Sequence, residues 1–277
     1  MKSRKLLLSL AVFFLVGAFV PTKASSLMYS EGEGEDNQPE ARGWVSIGPD
    51  NVAGRVRAIM FDKYNDGVMY AASVGGGLYV SVNNGANWKE IDFSNGECYA
   101  ATALAQGDDG AIYVGTGEGY YSDMFSGQNN RKSGLPGNGV YRVSFGVQNW
   151  AAGLASDADK YNYISTNSES TLISGTQPTK YDFTHEFCYV NDLAFVAGKL
   201  LIATKNGGLK VWDGSNLSTI SIDGSSTVNV TDVKVNRDNK VAIAYDAGTT
   251  FKVALSNTAF TQEGNIPAFT SILAPQG

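Results

Sequence analysis

Ser81-Val82-Asn83-Asn84-Gly85-Ala86-Asn87-Trp88 is the stretch whose reading decides the fold. The spacing Ser-x-Asn-x-Gly-x-x-Trp describes a tight hairpin. Asn83 can accept hydrogen bonds from its own turn, Gly85 can take the positive φ that the reversal needs, and Trp88 can lay its ring over the hairpin. These are structural tasks, so the stretch speaks for an architecture and hardly at all for a chemistry.

Working outward, the same arrangement of short apolar runs and turns recurs four times. The first unit has Val56 to Phe61, Val68 to Ser73 and Leu78 to Ser81. The second has Ala101 to Gln106, Ala111 to Gly115 and, after a long insertion, Gly139 to Ser144. The third has Val190 to Val196, Lys199 to Thr204 and Leu209 to Trp212. The fourth has Val230 to Val235, Val241 to Tyr245 and Phe251 to Ala254. No stretch from Trp44 onward shows a convincing helical period. The expected fold is all-β: a β-propeller-type repeat of four-stranded antiparallel blades, about four to five of them, whose ring is either closed within these residues or incomplete. Trp44-Val45-Ser46-Ile47 reads as the outer strand of a last blade, and the Pro-interrupted tail Ile266 to Gly277 ends just where a fifth unit would begin.

The N-terminus reads differently. Met1-Lys2-Ser3-Arg4-Lys5 precedes an apolar run from Leu6 to Val20, with small residues at Thr22 and Ala24, which is the pattern of a secretory signal peptide over residues 1–24. Residues 25–42 are an acidic segment that cannot bury enough apolar surface to fold and reads as a linker. Residues 43–277 form the propeller domain, or the N-terminal part of a longer one. The expected location is secreted, periplasmic or cell-surface, with no membrane span after signal cleavage. A formal net charge of −6 and a pI near 4.9 argue against nucleic acid as a partner.

The run Gly48 to Ile59, then Tyr70 to Leu78 and the Ser81–Trp88 hairpin, resembles secreted bacterial Asp-box (BNR-like) β-propellers of the sortilin-like class. Ser81, Asn83, Gly85 and Trp88 are the positions matching that motif. The resemblance extends through Gly115-Thr116-Gly117-Glu118-Gly119 and fades after Trp150, where Ser144 to Trp150 keeps the Ser and Trp but is a residue short. Many members of that class bind or assemble without catalysis. The sialidase arginine triad finds no counterpart: the arginines of the segment, including Arg55 and Arg57, sit in no Arg-Ile-Pro motif, and those two suit a surface or inter-blade ion pair. Xyloglucan-cleaving propellers carry an Asp before a Val-Gly-Gly turn, where this chain has Ser73, and a hydroxyl cannot serve as that general acid or base.

No catalytic set, cofactor site or metal site is legible. The single His185 cannot build a His-rich centre. Cys98 and Cys188 are compatible with a disulfide and equally with two buried thiols. The segment that can carry recognition is the insertion from Glu118 to Lys132, where Tyr120, Tyr121 and Phe125 offer aromatic faces and Glu118, Asp123, Asn129 and Arg131 offer polar groups. The expected role is a non-catalytic binding protein for an extracytoplasmic protein, peptide or glycan. The alternative is a propeller glycoside hydrolase, sialidase-like or xyloglucanase-like, with Glu118 and Asp123 as its carboxylates.

Overall fold

The computed structural model describes residues 55–119, 135–179, 182–248 and 250–272. Among the described residues, sixteen strands make four antiparallel sheets of four strands each, consecutive in sequence. Blade 1 holds β1 (Arg55–Phe61), β2 (Met69–Val74), β3 (Gly77–Ser81) and β4 (Lys89–Ile91). Blade 2 holds β5 (Ala101–Gln106), β6 (Ile112–Thr116), β7 (Val140–Ser144) and β8 (Glu169–Leu172). Blade 3 holds β9 (Val190–Val196), β10 (Lys199–Thr204), β11 (Gly208–Trp212) and β12 (Leu217–Ile220). Blade 4 holds β13 (Asn229–Val235), β14 (Val241–Asp246), β15 (Phe251–Ser256) and β16 (Phe269–Ile272).

The second strand of a blade reads as an unbroken apolar or small run because both of its faces are covered. β2 and β10 are buried along their whole length. The resulting core lies between blades: Tyr70, Leu78 and Val80 meet Ile112, Val114 and Tyr141 across the first junction, and Leu201, Ala203 and Leu209 meet Val233, Ile243 and Tyr245 across the third.

The quoted hairpin joins β3 to β4, the two outer strands of blade 1. Ser81 Oγ lies 3.0 Å from Asn83 Oδ1 and accepts from Gly85 N at 2.8 Å; Asn83 Oδ1 accepts from Asn87 N at 2.9 Å. Gly85 has φ +85°, and buried Trp88 donates from Nε1 to Gly85 O at 3.1 Å.

In the tail beyond Ile266, Phe269–Ile272 pairs with β15 and is the outer strand of blade 4. Trp44–Ile47, expected in such a place, lies outside the described residues. Between β7 and β8 the chain forms a helix, α1 (Asp157–Asn167), where no helical period was legible. Ser156 caps it by accepting from Asp159 N, and Asp157 and Asp159 complement the positive end of its dipole. Its hold on the protein is tertiary. Only Tyr161 and Ile164 are buried, and Tyr163 ends an aromatic series in which it stacks on Trp150, which meets Phe145, which stacks on Tyr70 of β2.

Every inner strand carries a β-bulge at the same place. The register slips past Arg57 in β1, Thr102 in β5, Asn191 in β9 and Thr231 in β13. In the first three blades the extra residue turns its side chain to the next blade. Thr102 Oγ1 donates to Val190 O at 2.9 Å, and Asn191 Nδ2 donates to Val230 O at 2.7 Å. Arg57 reaches blade 2 by charge, 3.5 Å from Glu118 Oε1.

Candidate functional site

The insertion of blade 2 leaves β6 at Gly117-Glu118-Gly119 and returns at Leu135-Pro136-Gly137. Of the residues singled out for recognition, Glu118 is described; Tyr120, Tyr121, Asp123, Phe125, Asn129 and Arg131 lie outside the described residues. What the structure establishes is the base from which that segment springs.

Three blades hold the base. Within blade 2, Glu118 N donates to Leu135 O at 2.8 Å and ties the outgoing strand to the returning one. From blade 1, Arg55 and Arg57 both pair with the Glu118 carboxylate, whose side chain is 11% exposed. From blade 3, Cys188 O in the segment entering it accepts from Gly137 N at 2.8 Å, and Lys205 Nζ in the turn after β10 donates to Gly119 O at 2.9 Å. Lys205 also lies over the Tyr189 ring, 5.8 Å from its centroid. Burial and the neighbouring Cys188 push the Tyr189 hydroxyl up to about 12, so it stays a neutral phenol under the lysine.

The glycines at this base are required by close approach. A Cβ on Gly117, which has φ +89°, would land on the Cys188 carbonyl oxygen and 2.5 Å from Gly137 N. A Cβ on Gly119 would come within 2.8 Å of the Tyr189 ring, and one on Gly137 would meet the backbone of Thr116. Thr116, fully buried, braces the return: its hydroxyl donates to Gly139 O at 2.6 Å and accepts from Asn138 N at 2.8 Å.

The arginine pair is an inter-blade ion pair, as its alternation suggested, although the bulge at Arg57 gives the two side chains different exposures of 46% and 16%. Sequence spacing offered nothing to connect Arg55 with a carboxylate 63 residues away. Cys98 and Cys188 are both buried free thiols. Burial pushes the Cys98 thiol above its ordinary range. Ser73 is fully buried at the end of β2. His185 accepts from Phe187 N through Nδ1 at 3.2 Å, a local turn contact. Among the described residues, no group of three or more His, Cys, Asp or Glu is placed to hold a metal, and no helix is long and apolar enough to cross a membrane.

Two further polar features stand apart from this base. A cleft of about 440 Å³ opens between the β3–β4 hairpin and α1, lined by Lys89, Asp92, Tyr161, Asn162 and Ser165 among others. At the junction of blades 3 and 4, Asp192 Oδ2 accepts from Val233 N at 3.0 Å and from Lys234 Nζ at 2.5 Å, and Lys234 also pairs with Asp232. Burial and the adjacent Asp232 raise the Asp192 carboxyl to about 7, against the pull of Lys234.

No protein-family model and no curated protein matches the chain. Solved structures do. An ancestral GH74 enzyme is 14% identical over 79% of this chain and 25% of its own, with a TM-score of 0.48. YCF48 bound to D1 peptide is 15% identical over 84% of this chain and 58% of its own, with a TM-score of 0.45. The WD40 β-propeller domain of Doa1 is 14% identical over 78% and 57%, with a TM-score of 0.39. This chain thus spans a quarter of the first and under three fifths of the other two, and its own four four-stranded sheets define it as a propeller-type repeat protein.

Proposed function

We propose that this is an exported, non-catalytic propeller of the Asp-box kind, which recognises a protein, peptide or glycan outside the cytoplasm through the segment between Gly119 and Leu135. The observation that carries the reading is the base of that segment, anchored by side chains or carbonyls from three blades. A binding loop gains affinity when its ends are fixed beforehand, because less ordering remains to be done on contact. The residues it would present, Tyr120, Tyr121, Phe125, Asn129 and Arg131, combine aromatic faces with amide and guanidinium donors. The hairpin bonds of Ser81, Asn83, Gly85 and Trp88 support the Asp-box assignment. Export rests on the leader pattern of residues 1–24.

The test is binding by the chain and by a variant with Tyr120, Tyr121 and Phe125 all changed to Ala, on glycan arrays and displayed peptide libraries. The variant keeps the circular dichroism spectrum and melting curve of the parent and loses the bound class. Retained binding sinks the loop assignment. Hydrolysis of polysaccharides or sialosides that vanishes in Glu118→Gln or Asp123→Asn would replace a binding role with an enzymatic one.

A further inference from the structure

The cleft between the β3–β4 hairpin and α1 shares no residue with the base of the insertion. Its two walls differ in kind. One is a run of four consecutive residues, Lys89 to Asp92, which are β4 and the residue after it. β4 is the outermost strand of its sheet, so one side of its backbone has no strand beside it, and among the described residues its main chain bonds to nothing beyond β3. The other wall is one face of α1: Ala158, Tyr161, Asn162 and Ser165 recur at the three- and four-residue spacing that lines up side chains in a stripe. From Ala158 to Ser165 the helix advances about 10 Å, and from Lys89 to Asp92 the strand advances about 10 Å, so the walls match in length. Ile91 and Ile164, both buried, supply apolar lining.

The cleft is bounded at both ends. At the start of β4, Asn83 Nδ2 donates to Asp157 Oδ2 at 2.9 Å and Tyr161 Oη donates to Asn87 O at 2.8 Å, so the hairpin holds the first turns of the helix. Past the end of β4, Ser170 Oγ donates to Phe93 O. Between these ties, opposite charges stand at the two ends of the strand wall. Lys89 Nζ lies 4.4 Å over the Tyr161 ring, and among the described residues it has no carboxylate partner. Asp92 is fixed by Oδ1, which accepts from Ser94 N and Gly96 N, both at 3.1 Å, and leaves Oδ2 for a further donor. Glu90, between the two, alternates with Tyr79 to the other face of the sheet.

An open strand edge is satisfied by another extended backbone, and charged groups at its two ends select a ligand whose own end charges have the same separation. Three extended residues span about 10 Å. We propose that the cleft binds a short free peptide of about three residues, extended and antiparallel to β4, with its terminal carboxylate at Lys89 and its terminal ammonium at Asp92. The volume of about 440 Å³ is that of a small-ligand site. The tied ends stop a longer chain from passing through, and the apolar lining suits aliphatic side chains.

The test is titration of the full chain, labelled with nitrogen-15, with the tripeptide alanyl-valyl-alanine, read from the amide resonances. Saturable shifts at millimolar peptide, confined to Lys89–Asp92 and α1, are expected. N-acetylation and C-amidation of the peptide should each weaken binding about fivefold, the weight of one partly exposed charge contact. Lys89→Gln should bind the acid and the amide alike, which a merely structural role for Lys89 would not produce. Ser165→Trp, a change at an exposed position on the helix wall, should abolish the shifts with circular dichroism unchanged; Asn162→Trp replaces it if that variant does not fold. No saturable shifts, equal affinity for the capped and free peptides, shifts centred elsewhere, or binding of the disaccharide cellobiose at this cleft in place of the peptide overturns the proposal.

Discussion

Gly117→Ala is the sharpest probe of how the insertion is anchored. Gly117 has φ +89°, a conformation that costs a residue with a side chain about 1–3 kcal/mol. The added methyl would overlap the Cys188 carbonyl oxygen and lie 2.5 Å from Gly137 N and 2.9 Å from Gly137 Cα, all backbone atoms that cannot rotate away. Forcing such an overlap costs about 1–3 kcal/mol. Relief requires parting Gly137 N from Cys188 O, now 2.8 Å apart, which loses about 1 kcal/mol more. The sum is about 3–7 kcal/mol, a large share of the 5–15 kcal/mol typical of a folded domain. Gly153→Ala is the matched control: its φ is +80° and nothing lies within 4 Å of the new methyl, so it reports the backbone cost alone. Urea denaturation of both variants, followed by tryptophan fluorescence, gives the difference. If Gly117→Ala loses no more stability than Gly153→Ala, the contact between the insertion base and the entry to blade 3 is not what the geometry says.

Trp88→Ala removes a ring that is 7% exposed and should destabilise by about 3 kcal/mol, whereas Trp88→Phe keeps the cover, loses the bond to Gly85 O and should cost about 1 kcal/mol; thermal melts separate the two. Glu118→Gln removes the carboxylate that Arg55 and Arg57 share; with Arg55 46% exposed the loss should be about 1–2 kcal/mol, seen as a lowered melting temperature that added salt narrows. Asp192 has its carboxyl raised from 3.8 to about 7, so folding takes up a proton in that window: its contribution to stability is present at the acid end and is lost as pH rises through about 7. Asp192→Asn should remove that slope from denaturation curves taken between pH 4 and 8, and an unchanged slope would assign it to another group.

The three inner strands of each blade were legible because each is a run of apolar residues closed by a turn, as in Lys199 to Thr204 followed by Gly207-Gly208. The fourth strands were not. Glu169-Ser170-Thr171-Leu172 and Leu217-Ser218-Thr219-Ile220 are four residues long and at least half polar, and they become strands only because a ready third strand offers its edge. The helix at Asp157–Asn167 was hidden for a related reason: two buried side chains leave no apolar stripe, and a cap with an aromatic series does the holding. Arg55 and Arg57 were read as suited to a surface or an inter-blade pair, and the structure shows the inter-blade one, with Glu118, chosen as a ligand contact, as the partner of both. The bulges left no trace in the sequence, since Arg, Thr and Asn share neither size nor charge.

Those bulges have an evolutionary consequence. At Thr102 and Asn191 the donor is a side chain, but the acceptor in the next blade is a main-chain carbonyl, at Val190 and Val230. Every amino acid supplies a carbonyl, so the receiving blade needs no matching residue. A gene segment encoding one blade can be copied or spliced beside another, and this hydrogen bond across the seam forms whatever residue supplies the carbonyl. The receiving strand is then free to drift, which lets a tandem array lengthen faster than its sequences need to agree.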